Sequence, residues 1–434
     1  MDIIIRPSTI EGILSAPPSK SHSQRALAAA LIRKGRTTIH NFGHSNDELA
    51  ALSIIKSLGA EIEKTAPDSI RINSLFPESP VKQNLINCGE SGLSLRMFTP
   101  IAAILPFPVT MSGSGSLLKR PIGFFSDVLP HLKVNVKTCD GFIPLTTEGG
   151  LKPCSIEVDG SLSSQFISGL LMAYAALNAD GVSLKVNHLV SRAYVYLTLS
   201  VLRGFGLPCP EDGAEDEFYF SKKAQTHSSD DLSYRIESDW SSAAFLLAAG
   251  AINGKVTVTG LDMFSPQPDK RILEPLNACG CALSVRPGSV TVEAAPLKAF
   301  HFDATHCPDL FPPLVALAAY CPGISVIEGV HRLIHKESDR AAALQSEFEK
   351  LGISIRLEQD KMMVHGGAVH GSIVLSHNDH RIAMATAVAA INSREPVKIT
   401  GAEAVSKSYP HFFEDLSKAG AELCVLNDQG VRPV

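Results

Sequence analysis

Lysine and arginine occur in this sequence where alanine and leucine surround them. Six segments share one plan: a polar start punctuated by Gly, Pro, Ser, Asn or Asp, then an Ala-rich apolar run of helical length. They are PPSKSHSQRALAAALI from Pro17, NCGESGLSLRMFTPIAAIL from Asn87, DGSLSSQFISGLLMAYAAL from Asp159, ESDWSSAAFLLAAGAI from Glu237, HCPDLFPPLVALAAYC from His306 and SHNDHRIAMATAVAAI from Ser376. Lys20 and Arg25 belong to the first start, Arg96 to the second, and His380 and Arg381 to the last. A helix N-terminus has four orphan N–H groups and the positive end of the dipole, so it suits an anion. Ser and Asp there also serve as plain N-caps. Cations in such apolar surroundings need a partner when buried, and a convergent anion would supply one.

Three further basic segments are loop-like. GSGSLLKRP places Arg120 between a Gly/Ser-rich loop and a proline; HKESDR places Lys336, Glu337, Asp339 and Arg340 at a helix start; SKSYP carries Lys407 near the C-terminus. Each alone also reads as a solvated charge run. The net charge is −5, so any cationic pocket must be local, and general nucleic-acid or anionic-membrane binding is disfavoured.

These residues need elements to hold them. The six starts recur at intervals of 69 to 78 residues, and helices apolar all round must be buried. Between them lie Val-, Ile- and Thr-rich runs of strand type, such as TTIHNF, SIRINS, VSLKVNHL, KVTVTGL and PVKITGA. More polar helices follow in places, as in NDELAALSIIKSLGA and KESDRAAALQSEFEKLGI. Each repeat is thus an α+β unit too small to hide its own apolar helix, and the units are expected to pool those helices into one or two cores. A polar, acidic stretch over residues 211–235 divides three repeats from three, which predicts two lobes.

Composition closes off other classes. With 434 residues and 45% hydrophobic content, the chain can build large cores without staples. Mean hydropathy is +0.12, yet no apolar run reaches the ~18 residues of a membrane span. MDIIIRPSTIEG has neither the basic nor the apolar region of a signal peptide. Nine scattered cysteines, odd in number and without a C-x-x-C pair, read as reduced thiols of a cytoplasmic protein, Cys279 and Cys281 being the closest pair. The 15 histidines form no ligand cluster, so no metal or organic cofactor is expected.

The ordered set PPSKSHSQRA, GSLLKRP, DGSLSSQF, LVSRAYVYLTL, HKESDR, NDHRIAMA and SKSYP, from about residue 17 to about residue 413, resembles the 5-enolpyruvylshikimate-3-phosphate synthase family of enolpyruvyl transferases. The resemblance implies an α+β fold, an inside-out α/β barrel architecture of two similar lobes, each of three β-α-β-α-β-β repeats with buried helices. It implies residues 17–234 as one lobe, 1–16 plus 235–434 as the other, and an active site in the cleft between them. The implied reaction joins phosphoenolpyruvate to the 5-hydroxyl of shikimate-3-phosphate, in aromatic amino acid biosynthesis, with a monomer expected and no cofactor. Motif by motif, Lys20, Ser21, Arg25, Ser163, Ser164, Gln165, Ser191, Tyr194, Asp309 and Lys336 resemble the shikimate-3-phosphate site. Lys20, Gly92, Arg120, Gln165, Arg340, Arg381 and Lys407 resemble the phosphoenolpyruvate site. Asp309 would be the base for the 5-hydroxyl, with Glu337, Lys20 and His380 at the reacting centre.

The chain departs from the family pattern at Glu90, Gly92 and Leu93 in the loop before the second buried helix, and at Arg332 before HKESDR. Glu90 beside an anion would need a cation such as Arg96. Two rival readings remain. One is the sister enzyme acting on a UDP-amino sugar, which typically carries a reactive Cys where this chain has GSGSLLKRP. The other is a non-catalytic anion-binding repeat protein, against which the acidic residues Asp309 and Glu337 and the imidazole of His380 speak.

Overall fold

The computed structural model describes residues 1–213, 216–221, 231–334, 336–427 and 430–433. After β1 (Asp2–Arg6), the chain runs six times through strand, helix, strand, helix, strand, strand. The first repeat is β2 (Ile10–Ser15), α1 (Lys20–Ile32), β3 (Gly35–His40), α2 (Asn46–Ser57), β4 (Glu61–Ala66) and β5 (Ser69–Ser74). The second is β6 (Leu85–Asn87), α3 (Gly92–Ala102), β7 (Val109–Ser112), α4 (Gly123–Val128), β8 (Asn135–Cys139) and β9 (Phe142–Glu148). The third is β10 (Ile156–Asp159), α5 (Ser164–Ala176), β11 (Val182–Asn187), α6 (Arg192–Gly204), β12 (Glu211–Asp212) and β13 (Glu217–Phe220). The fourth is β14 (Leu232–Arg235), α7 (Trp240–Asn253), β15 (Gly254–Leu261), α8 (Leu273–Ala278), β16 (Ala282–Arg286) and β17 (Gly288–Glu293). The fifth is β18 (His301–Asp303), α9 (Phe311–Ala318), β19 (Gly323–Glu328), α10 (Arg340–Lys350), β20 (Ile355–Glu358) and β21 (Lys361–Gly366). The sixth is β22 (Ile373–Leu375), α11 (His380–Ala390), β23 (Val397–Thr400), α12 (Phe412–Lys418), β24 (Glu422–Asn427) and β25 (Gly430–Pro433). All six apolar runs singled out from sequence are helices, and the expected α+β class holds.

A common sheet plan underlies the repeats. In the third, β10 and β11 are parallel, bridged by α5, while β13 runs antiparallel to both β11 and β12. The sheet order is therefore first, second, fourth, third strand, and the second and fifth repeats repeat it. The first and fourth repeats exchange their opening strands: β2 pairs parallel with β15, and β14 pairs parallel with β3. β1 takes a place in the last sheet, between β23 and β24.

Two compact units result, Pro18–Ile236 and Met1–Pro17 with Glu237–Val434. The limits lie a residue or two from those the resemblance implies, for a physical reason. β14 continues to Arg235, opposite His40, and Ile236 both donates to the His40 carbonyl (3.0 Å) and accepts from Asn41 (2.9 Å). Pro17, on the other side of the division, accepts from the Asp239 N–H at 2.7 Å. The polar stretch over 211–235 is not simply a linker, because β12, β13 and β14 fall within it; residues 214–215 and 222–230 lie outside the described residues.

Each unit has its own core. In one, α1, α3 and α5 supply Ala26 to Ile32, Leu95 to Ala103 and Phe166 to Ala175. In the other, α7, α9 and α11 supply Trp240 to Ile252, Leu310 to Ala319 and Ile382 to Ile391. α7 is buried from Trp240 to Ile252 without interruption, as an all-apolar helix must be. Alanine at so many of these positions lets three helices pack closely, and this closeness brings their polar N-termini together.

Candidate active site

In the Pro18–Ile236 unit, the α1 and α3 ends are tied by Gln24. Its Oε1 accepts from the hydroxyls of Ser91 (3.0 Å) and Ser94 (2.8 Å), and Ser91 caps α3 by accepting the Ser94 N–H. Gly92 is the first residue of α3. A Cβ there would lie 2.5 Å from Arg120 Nη1 and 3.6 Å from Arg96 Nη1, so two guanidinium groups flank this helix N-terminus. Arg120 donates to Ser116 Oγ at 3.3 Å; Arg96 donates to Gln165 Oε1 at 2.8 Å and lies 5.0 Å over the Phe166 ring. Glu90 accepts the Ser116 N–H at 3.1 Å, which ties it to the 3-10 turn Gly115–Lys119. The loop that departs from the family pattern therefore uses its carboxylate to hold the segment carrying Arg120.

Arg25 lies deeper, 1% exposed. It donates to Thr198 Oγ1 (2.9 Å), the Ser21 carbonyl (2.8 Å), the Tyr194 carbonyl (3.3 Å) and Ser168 Oγ (3.4 Å), all neutral acceptors. Burial lowers its pKa to about 10. A guanidinium so placed stays charged at neutral pH and gains from an added anion. Lys20, at the start of α1, pairs with Asp47 at 3.0 Å. Ser163 is the N-cap of α5 and accepts the Gln165 N–H, so capping explains part of its presence. Ser191 precedes α6 at φ +52, a backbone state that costs a serine energy and sets its direction.

In the other unit the charges are denser. Asp309 sits in a short turn before α9 and accepts from Arg340 Nη1 (2.8 Å), Arg381 Nη2 (3.1 Å) and Lys336 Nζ (3.2 Å). Asp379, the fully buried N-cap of α11, accepts from Arg340 Nε (2.8 Å), Ser338 Oγ (3.0 Å) and the Arg381 N–H (2.9 Å). Glu337 also pairs with Arg340. Lys407 closes its 3-10 turn rather than lying in an open loop, and donates to the Asn378 carbonyl at 2.6 Å. His380, 1% exposed, has Nδ1 3.8 Å from Asp379.

Burial alone would raise the Asp309 pKa, but Arg381, Lys336 and Arg340 pull it well below the usual carboxylate range. Burial would lower that of Arg340, and Asp379, Glu337 and Asp309 reverse this. For Lys336 burial prevails and the pKa falls, against the opposing charge of Asp309. Asp269, 2% exposed and hydrogen-bonded by Ser241, is pushed up to about 6 by burial and by the like charge of Asp309. The cluster interleaves three cations with three carboxylates in direct contact. A polyanion binding here would exchange protein carboxylates for its own oxygens.

The candidate residues thus fall into two groups by unit. Lys20, Ser21, Arg25, Gly92, Arg120, Ser163, Ser164, Gln165, Ser191 and Tyr194 belong to one; Asp309, Lys336, Glu337, Arg340, His380, Arg381 and Lys407 belong to the other. Sequence reasoning left Asp379 out of the candidate set, although it stands between Asn378 and His380 in a quoted motif. From sequence, Arg96 stands out as a cation at a helix start and as a partner for Glu90, not as a substrate contact. Asp47 and Asp269 carry no signal in the sequence, since their relevance comes from what they touch. The carboxylates also have a use that an anion binder would share: they neutralise the cations. Their presence is therefore a weaker argument for chemistry than it is from sequence.

A family model described as EPSP synthase (3-phosphoshikimate 1-carboxyvinyltransferase) matches residues 4–416. A curated relative from Clostridium kluyveri, named 3-phosphoshikimate 1-carboxyvinyltransferase, is 38% identical over 97% of this chain and 98% of its own length. One of the same name from Aeropyrum pernix is 36% identical over 99% and 98%. Among solved structures, EPSP synthase from Acinetobacter baumannii is similar with a TM-score of 0.82 and 25% identity, over 97% of this chain and 99% of that one. The enolpyruvyl transferase NikO from Streptomyces tendae shares the fold at a TM-score of 0.75 and 18% identity.

Proposed function

This chain belongs to the EPSP synthase (3-phosphoshikimate 1-carboxyvinyltransferase) family, and from that premise we infer how its two groups of charged residues work. The chain transfers the enolpyruvyl group of phosphoenolpyruvate to shikimate-3-phosphate, releasing phosphate. The 5-hydroxyl attacks C2 of phosphoenolpyruvate as C3 takes up a proton. The resulting ketal phosphate then loses a C3 proton and phosphate. Each phosphoryl group brings a charge of about −1.5 to −2, and two unit charges ~4 Å apart repel by roughly 4 kcal/mol at an effective dielectric of ~20. Several cations are needed to hold both substrates.

The observation that carries the reading is the Asp309 cluster, in which Lys336, Arg340 and Arg381 already converge on one carboxylate. We assign Arg340, Arg381 and Lys407, with Gly92, Arg120 and Gln165, to phosphoenolpyruvate. Ser21, Arg25, Ser163, Ser164, Gln165, Ser191, Tyr194, Asp309 and Lys336 serve shikimate-3-phosphate, and Lys20 serves both. The active site is proposed in the cleft between the two lobes, so that both groups serve the same substrate pair. Asp309 takes the 5-hydroxyl proton. Its lowered pKa makes it a weak base without ligand, and anions that draw Arg381 and Lys336 away would restore its basicity. Glu337, Lys20 and His380 attend the proton at C3. Fixed charge and positioning supply most of the rate. The chain acts as a monomer in the cytoplasm on this reading.

The test is phosphate release from phosphoenolpyruvate with either acceptor. Release with shikimate-3-phosphate and not with a UDP-amino sugar is expected; release with the UDP-sugar alone, or with neither, would overturn the reading.

A further inference from the structure

Glu347 lies on α10, seven residues after Arg340 and so on the same face two turns later. Its side chain is 1% exposed. The carboxylate accepts from His377 Nε2 (2.6 Å), the Leu375 N–H (2.9 Å) and Lys350 Nζ (2.7 Å). Leu375 and His377 bracket the turn between β22 and α11, the turn that ends in Asp379, His380 and Arg381. Within it, His377 and Asn378 take φ of +53 and +54 in succession. Two consecutive residues with side chains rarely hold the left-handed region unless their surroundings impose it. Ser376 Oγ accepts the Asn378 N–H (3.2 Å), and the Asn378 carbonyl so directed accepts from Lys407. One face of α10 therefore grips this turn twice, through Arg340 on Asp379 and through Glu347 on Leu375 and His377.

We propose that Glu347 is a positioning residue for the phosphoenolpyruvate side of the site, acting through His377 to hold the turn that aims the Asn378 carbonyl, and with it Lys407 and Arg381. The inference rests on the assignment of Lys407 and Arg381 to that substrate. Glu347 touches no substrate in this account. A buried carboxylate with three donors would otherwise be only a structural tie, and the two roles differ in what they predict for the two substrates.

The experiment compares E347Q and H377N in the full chain. Asparagine tolerates the left-handed backbone that His377 holds, yet is too short to reach Glu347, so H377N keeps the fold while cutting the tether. Both variants should raise the KM for phosphoenolpyruvate about five- to tenfold while the KM for shikimate-3-phosphate stays within about twofold. Hydrogen exchange of peptides spanning 372–384 should quicken in both. An unchanged phosphoenolpyruvate KM in H377N, or equal rises in both KM values with a lowered Tm, would overturn the positioning role. Wild-type chain inactive with both substrates would instead overturn the reading of the site, and this inference with it.

Discussion

Asp309 shows how a single residue can be held in reserve. It is the counter-ion for three cations, and its proposed use as the base for the 5-hydroxyl calls for a pKa in the opposite direction. Asp309→Asn keeps the shape and removes the proton acceptor. Turnover should fall by about 10²- to 10⁴-fold with KM values changed far less, read by steady-state phosphate release. Turnover near wild type would remove Asp309 from the chemistry. Asp269 gives a separate test of the cluster's electrostatics. Its pKa is raised to about 6, so the folded chain binds its proton more tightly than the unfolded chain. The contribution to stability is present at low pH and is lost as pH rises from about 4 to about 6. Asp309, lowered, runs the other way: its contribution is present above the unfolded carboxylate range and is lost as pH falls below it. Urea midpoints at about pH 4.5 and 6.5 should therefore drop more in wild type than in Asp269→Asn. Equal drops would show that Asp269 is not so perturbed.

At the scale of elements, the proposed site relies on helix N-termini made available by small side chains. Gly92 opens α3 with no room for a methyl group beside Arg120. The obstacle is the end of a flexible side chain, so Gly92→Ala should fold with Tm within a few degrees of wild type. It should displace the guanidinium and raise the phosphoenolpyruvate KM severalfold, with a smaller effect on shikimate-3-phosphate. Equal KM effects, or none, would separate Arg120 from that substrate. The elements were largely legible in the sequence because their signals are local. The apolar runs of α1, α3, α5, α7, α9 and α11 stand out, and β3, β5, β11, β15 and β17 alternate as strands should. Pairing was not legible: nothing near β2 says that its partner is β15, some 240 residues on. Nor could the sequence distinguish Asp379, a buried clamp on Arg340, from Asp339, a cap at the start of the same α10. Glu347 looks like an ordinary polar residue of a surface helix until its neighbours are known.

At the scale of the whole chain, the exchange of β2 and β14 explains why each unit is not simply three consecutive repeats. Because β14 belongs with β3, a fragment spanning 18–236 carries its own core and complete opening sheet. It should fold alone, with a cooperative thermal transition by circular dichroism. A fragment ending at 230 lacks β14, leaves the β3 edge open, and should melt lower or fail to fold. Equal stability of the two fragments would deny β14 that role. The same partition divides the cations between the two units, Lys20, Arg25, Arg96 and Arg120 in one and Lys336, Arg340, Arg381 and Lys407 in the other. Both sets are proposed to serve one substrate pair. A crystal structure of the chain with shikimate-3-phosphate and an unreactive phosphoenolpyruvate analogue tests this most directly. The analogue is expected within hydrogen-bonding distance, about 2.7–2.9 Å, of Arg120 and also of Arg340 or Arg381. An analogue held wholly by residues of one unit, with the other unit's cations still on their own protein partners, would contradict this.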